Sequence, residues 1–268
     1  MLIKAGYFGL LPSDSSLRNI QSNLATEIYS ADNKLLGRYF VHERKPTSFE
    51  NISPHIIDAL VATEDARFYS HKGVDPRSLL RVFVKTVILQ DRSGGGGSTI
   101  SQQLAKNLFP RTINSKFDIV ITKIKEALIA FQLESIYSKE QILELYLNTI
   151  PFGENIYGIE LAAQRFFNKK AAELEIQEAA VLVGMLKANH TYNPRLFPEK
   201  SKARRNIVFV QMVKSEFLDP STYDSLKEQP IQLDYQRLSQ NSGLATYFRE
   251  FIRPELEKWA EDNEKPDG

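Results

Sequence analysis

The sequence predicts a mainly α fold with a minor β element near the N-terminus. Two observations carry this. From Ser53 onward apolar residues recur at helical spacing, and helix-start signals punctuate the chain at Ser53-Pro54, Asp75-Pro76 and Ser138-Lys139-Glu140-Gln141. Strand-like segments are confined to the first 40 residues.

Taken in order, 25–30 and 35–40 read as strands joined by the turn residues Ala31-Asp32-Asn33-Lys34. Ser53-Pro54 opens a helix carrying Ile56, Ile57, Leu60 and Val61. A second helix runs from Asp75-Pro76 to about Gln90, and Ser93 to Ser98, four of whose residues are glycine, breaks it. Helices follow at about 99–108, 117–136, 139–148, 157–167, 175–187, 199–216 and 220–228. The ending Glu264-Lys265-Pro266-Asp267-Gly268 reads as linker or tail.

The 268 residues are 42% hydrophobic and 25% charged, which suits a folded domain with a real core. With no cysteine, disulfides, thiolate metal sites and cysteine nucleophiles are excluded. A net charge of +1 argues against nucleic acid as a partner. That total hides an asymmetry: Glu64–Glu126 holds 11 Lys/Arg against 6 Asp/Glu, whereas 250–268 holds 3 against 7. The middle of the chain therefore favours an anionic ligand.

Four stretches are dense in chemistry. Thr63 to Asp75 sets Glu64 and Asp65 beside Arg67, Phe68, Tyr69, His71 and Gly73. A partly buried carboxylate there suits a general base, and a helix end with a surface acidic pair would read the same. Gly96 to Asn107 runs a glycine loop into a helix bearing Ser98, Thr99, Gln102, Gln103 and Lys106, which suits a phosphate or a simple capped helix start. Lys123 and Glu126 fall on one helix face, as an ion pair or as a functional carboxylate beside cations. On 76–90, Arg77, Arg81 and Lys85 form a basic stripe beside Leu79, Leu80, Phe83 and Val87, the pattern of a helix at a lipid surface.

Together these blocks resemble glycosyltransferase family 51, the peptidoglycan glycosyltransferase domains of class A penicillin-binding proteins. Glu64-Asp65-Ala66-Arg67-Phe68-Tyr69-Ser70-His71-Lys72-Gly73 is similar to the family's Glu-Asp-x-x-Phe-x-x-His-x-Gly motif. Gly97-Ser98-Thr99-Ile100-Ser101-Gln102-Gln103 is similar to its Gly-x-Ser-Thr-x-x-Gln-Gln motif, and Lys123-Ile124-Lys125-Glu126 to most of Arg-Lys-x-x-Glu. Lys139 to Asn148, Tyr157-Gly158-Ile159-Glu160, Glu178-Ala179-Ala180, Tyr192-Asn193-Pro194 and Arg204-Arg205-Asn206 resemble later landmarks.

The resemblance implies a lysozyme-like lobe with a smaller membrane-associated jaw at about 74–98, within a glycosyltransferase domain spanning 50–230. Residues 1–49 are then an extension following a missing membrane anchor, and 231–268 a linker or tail. The implied reaction is inverting, processive polymerisation of lipid II with a polyprenyl-linked glycan chain into β-1,4 strands, with release of polyprenyl pyrophosphate. Glu64 is the implied general base, Glu126 the second carboxylate and Asp65 a supporting acceptor. Ser98, Thr99, Gln102, Gln103, Lys106, Asn107, Arg111, Lys123 and Lys125 are the implied pyrophosphate and sugar contacts, and Leu79, Leu80, Phe83 and Val87 the membrane-facing residues. No cofactor is strictly implied, although magnesium or manganese at Glu126 is an option. Moenomycin is the family's donor-site inhibitor.

Thr122 stands where the third motif has Arg, removing one cation; Arg111 or Lys116 is placed to compensate. Ser-x-x-Lys with a Lys-Thr-Gly partner is missing, so this chain is expected to be a transferase without a transpeptidase, which a C-terminal domain of the full-length protein would supply. Other cell-wall synthesis proteins are expected partners, and the extracytoplasmic face of the bacterial inner membrane the expected location. Two alternatives are a lysozyme-like hydrolase, which also needs two carboxylates, and a membrane-peripheral module without catalysis.

Overall fold

A computed structural model describes residues 45–83, 97–109 and 116–237 continuously, together with 11–18, 20, 26–29, 32, 35–39 and parts of 251–259. Its elements in chain order are α1 (Asp14–Arg18), β1 (Thr26–Tyr29), β2 (Leu35–Tyr39), α2 (Pro54–Glu64), α3 (Pro76–Phe83), α4 (Ile100–Leu108), α5 (Lys116–Ile136), α6 (Lys139–Thr149), β3 (Pro151–Gly153), β4 (Ile156–Tyr157), α7 (Ile159–Phe167), α8 (Ile176–Met185), α9 (Pro198–Lys214) and α10 (Pro220–Leu226). The mainly α architecture read from the sequence is the one observed.

The core is built around α8, in which every residue from Ala179 to Met185 is buried. A helix apolar all round has to be surrounded, and α2 and α9 pack on it. A second layer sets α4 against α5 and α6. Phe68, Leu104, Leu133, Leu143, Tyr146 and Phe166 fill the space between, each without exposed surface.

Several expectations change in detail. The predicted N-cap Ser53 makes no side-chain cap; its Oγ donates instead to the Leu174 carbonyl (2.7 Å), tying the start of α2 to the approach to α8. The capping box at Ser138 forms as read, with Gln141 returning its side chain to the Ser138 amide (2.8 Å). The helix expected from 157 starts at Ile159, because 151–157 form a second antiparallel hairpin, so the β content is not confined to the N-terminus. Its turn holds Glu154 (φ 51°) and Asn155 (φ 59°) in the left-handed region, which a Gly-Glu-Asn sequence signals weakly. The β1–β2 hairpin forms as read, and its register sets Thr26 opposite Tyr39.

The segments flanking 50–230 are partly integral. Leu17 is fully buried and its carbonyl accepts from the Tyr137 hydroxyl (2.7 Å). Thr47 exchanges two hydrogen bonds with the Asn148 side chain (3.0 and 2.9 Å). Beyond 230, the Asp234 and Gln236 amides donate to the carbonyls of Phe166 (3.2 Å) and Arg165 (2.8 Å). Arg205, without exposed surface, donates to the carbonyls of Leu226, Lys227 and Gln229 at the end of α10. The Arg204-Arg205-Asn206 landmark thus has a framework role at Arg205.

Candidate active site

Glu64 is the last residue of α2, and Asp65 ends the helix by turning its backbone to φ −156°, ψ 68°. The two adjacent carboxylates consequently diverge. Asp65 is buried, accepts from the Ile100 amide at the start of α4 (3.1 Å) and meets His71 Nε2 at 3.0 Å. His71 is therefore a structural histidine. Two residues on, Gly73 has φ +85° and lies so close to α5 that a Cβ there would meet the Ala130 backbone at 2.7 Å. The Gly73 carbonyl accepts from Thr99 Oγ1 (2.6 Å). The first and second motifs are thereby locked together through their helix ends.

Thr99 also caps α4, accepting from the Gln102 amide while Gln102 Oε1 accepts from the Thr99 amide (3.0 Å). This fixes the rotation of α4 and carries the next residue, Gln103, to Glu64: Gln103 Nε2 donates to Glu64 Oε2 at 2.8 Å. From α6, the buried Tyr146 hydroxyl donates to Gln103 Oε1 (3.0 Å). Burial, and then the charge of Glu64, push the Tyr146 hydroxyl well above its ordinary pKa, so it remains a donor.

The third motif enters from α5. Lys123 Nζ lies 3.0 Å from Glu126 Oε2 and donates to Ser98 Oγ (3.1 Å), tying Ser98, just before α4, to α5. Glu126 itself is buried, whereas Lys123 is half exposed. Glu64, Ser98, Gln102, Gln103, Lys106, Lys123 and Glu126 line one cavity of about 210 Å³, together with Leu186 and Lys187.

Of the residues that the sequence singles out, the structure thus brings both carboxylates, two of the lysines and three polar side chains to one cavity. Asp65, Thr99, Asn107 and Lys125 do not line it; Asp65 and Thr99 work beneath it as framework. Leu79 (45% exposed) and Leu80 (63% exposed) stand outward on α3 beside exposed Arg77 and Arg81. Arg111, Val87 and the side chains of Phe83 and Lys116 lie outside the described residues. Lys187 was missed because it follows an apolar helix and carries no local motif; with Arg absent at 122, it is a third cation at the cavity. Tyr146 was missed because a tyrosine among the leucines of α6 reads as core.

Three ammonium groups and two carboxylates around one cavity suit a substrate with a multiply charged phosphate group and a hydroxyl to be deprotonated. The donor set fits a resident metal poorly. Glu126 offers one carboxylate already facing Lys123, and no group of three His, Asp or Glu side chains gathers among the described residues. Glu126 and the polar side chains around it could at most supply a few ligands to a magnesium or manganese ion held mainly by a bound phosphate group.

The family model described as transglycosylase matches residues 32–213. Penicillin-binding protein 1A of Escherichia coli is 35% identical over 246 residues, 92% of this chain and 28% of that protein. Its namesake from Aquifex aeolicus is 40% identical, covering 82% of this chain and 30% of that protein. The one from Pseudomonas aeruginosa is 38% identical, covering 92% and 29%. The chain spans less than a third of the length of these relatives. With Glu64 and Glu126 facing one cation-lined cavity and the family model spanning the residues that build it, the chain belongs to the transglycosylase family, the peptidoglycan glycosyltransferase domains that its ordered motifs resemble.

Proposed function

We propose that this domain polymerises lipid II, acting on two polyprenyl-pyrophosphate-linked substrates at once, with Glu64 as the base. The observation that carries the reading is Glu64 held by Gln103 at the wall of a cavity that also presents Lys106, Lys123 and Lys187. In the proposed step Glu64 takes the proton of the acceptor hydroxyl as that oxygen bonds to the anomeric carbon of the donor sugar. The bond from that carbon to the pyrophosphate oxygen breaks on the opposite face, inverting the centre as in inverting glycosidases. The pyrophosphate leaves with its charge stabilised by the lysines and Ser98. Glu126 sets the position of Lys123.

The exposed pair Leu79 and Leu80, flanked by Arg77 and Arg81, supports docking of α3 on an anionic membrane surface, where the lipid tails of both substrates reside. No helix among the described residues is long and apolar enough to cross a membrane. The relatives' greater length supports a further, transpeptidase domain in the full-length protein, acting from the extracytoplasmic face of the inner membrane alongside other cell-wall synthesis proteins. The test is incubation of the purified chain with lipid II in detergent: glycan strands form and moenomycin blocks them. Release of sugar from finished peptidoglycan, with no strand formation, would point to a hydrolase instead.

A further inference from the structure

Gln103 is held from both ends. Its amide nitrogen donates to Glu64 Oε2 (2.8 Å) and its amide oxygen accepts from the Tyr146 hydroxyl (3.0 Å). Tyr146 has no exposed surface, so its hydroxyl needs a partner inside the protein, and Gln103 supplies it. The reversed amide would set its carbonyl oxygen against the Glu64 carboxylate, two acceptors face to face. The chain Tyr146–Gln103–Glu64 therefore has one self-consistent direction of donation, running from the core of α6 through α4 to the end of α2.

That direction has a chemical consequence. A hydrogen bond donated to a carboxylate limits its rotation. The bond to Oε2 holds the Glu64 carboxylate at the wall of the cavity, where the proposed step needs it. We infer that Tyr146 is a positioning residue for glycosyl transfer, locking the Gln103 amide so that the Glu64 carboxylate is held in one orientation at the cavity wall. The inference rests on the reading of Glu64 as the base.

The experiment is steady-state polymerisation of lipid II by the full chain carrying Tyr146→Phe, a change that keeps the ring and its packing, with kcat and KM read separately. Rates are taken at a temperature where the circular dichroism of variant and parent coincide. The expected result is a fall in kcat of roughly tenfold, the order of one lost hydrogen bond, with KM for lipid II little changed. Adding Tyr146→Phe to Gln103→Leu should cost nothing further, since both remove the same chain of bonds.

An unchanged kcat, or a loss confined to KM, would overturn the inference, as would full additivity with Gln103→Leu or a variant that folds at no temperature, either of which assigns Tyr146 to the core alone. Glu64→Gln, run in parallel, separates the two readings. If it still polymerises, the base assignment fails; if it is inactive while Tyr146→Phe is normal, the inference about Tyr146 fails by itself.

Discussion

Lys123 lies 3.0 Å from Glu126 on the same face of α5 and also reaches Ser98 across the mouth of the cavity. The buried carboxylate thus holds a half-exposed ammonium in place, which converts a flexible lysine into an oriented cation. Replacing Lys123 with Met should lower kcat/KM for lipid II by about 100-fold, the cost typical of removing one preorganised stabiliser of developing negative charge. Glu126→Gln should act in the same direction through a misplaced Lys123. Steady-state polymerisation rates check both, and a Lys123→Met variant with parental kcat/KM would remove the cation from the mechanism.

Gly73 predicts a purely structural effect. A Cβ at this position would fall 2.7 Å from the Ala130 carbonyl carbon and oxygen, and φ is +85°. Gly73→Ala should therefore destabilise the fold by about 2–4 kcal/mol, combining backbone strain with overpacking against α5. Chemical denaturation measures it.

Asp75 gives a pH prediction. Burial raises its pKa, but hydrogen bonds from Ser78 and the Arg67 guanidinium outweigh this and hold the carboxyl below its ordinary value. A depressed folded pKa contributes stability that is present above the unfolded value of about 3.9 and is lost as pH falls through the folded value. Denaturation midpoints should fall below about pH 4, and the acid slope should be shallower in Asp75→Asn.

On α3, exposed Leu79 and Leu80 beside Arg77 and Arg81 predict affinity for anionic bilayers. Leu79→Asp with Leu80→Asp should weaken binding to phosphatidylglycerol vesicles by at least about tenfold, since each lost leucine forfeits roughly 1.5 kcal/mol of apolar burial. Vesicle sedimentation reads this, and the variant should leave the melting temperature nearly unchanged.

Much of the site was legible because its residues are packed into short motifs with fixed helical spacing. Lys123 and Glu126 are one turn apart, and the glycine loop runs directly into Gln102 and Gln103. What escaped was assembled through space. Lys187 reaches the cavity only because α8 crosses the core, and Tyr146 matters only because α6 lies against α4. Asp65 looked like the twin of Glu64, but the backbone turn that ends α2 sends it to the Ile100 amide and His71. The 151–157 hairpin was hidden because two of its turn residues take φ values that its sequence signals only through Asn155.

The central claim is that Glu64 is the base that joins two lipid-linked sugars. The most direct measurement is lipid II polymerisation by Glu64→Gln, a substitution that keeps the side-chain shape and removes only the acceptor charge. The predicted result is a correctly folded protein that binds lipid II and forms no glycan strands. Strand formation at the parental rate would contradict it.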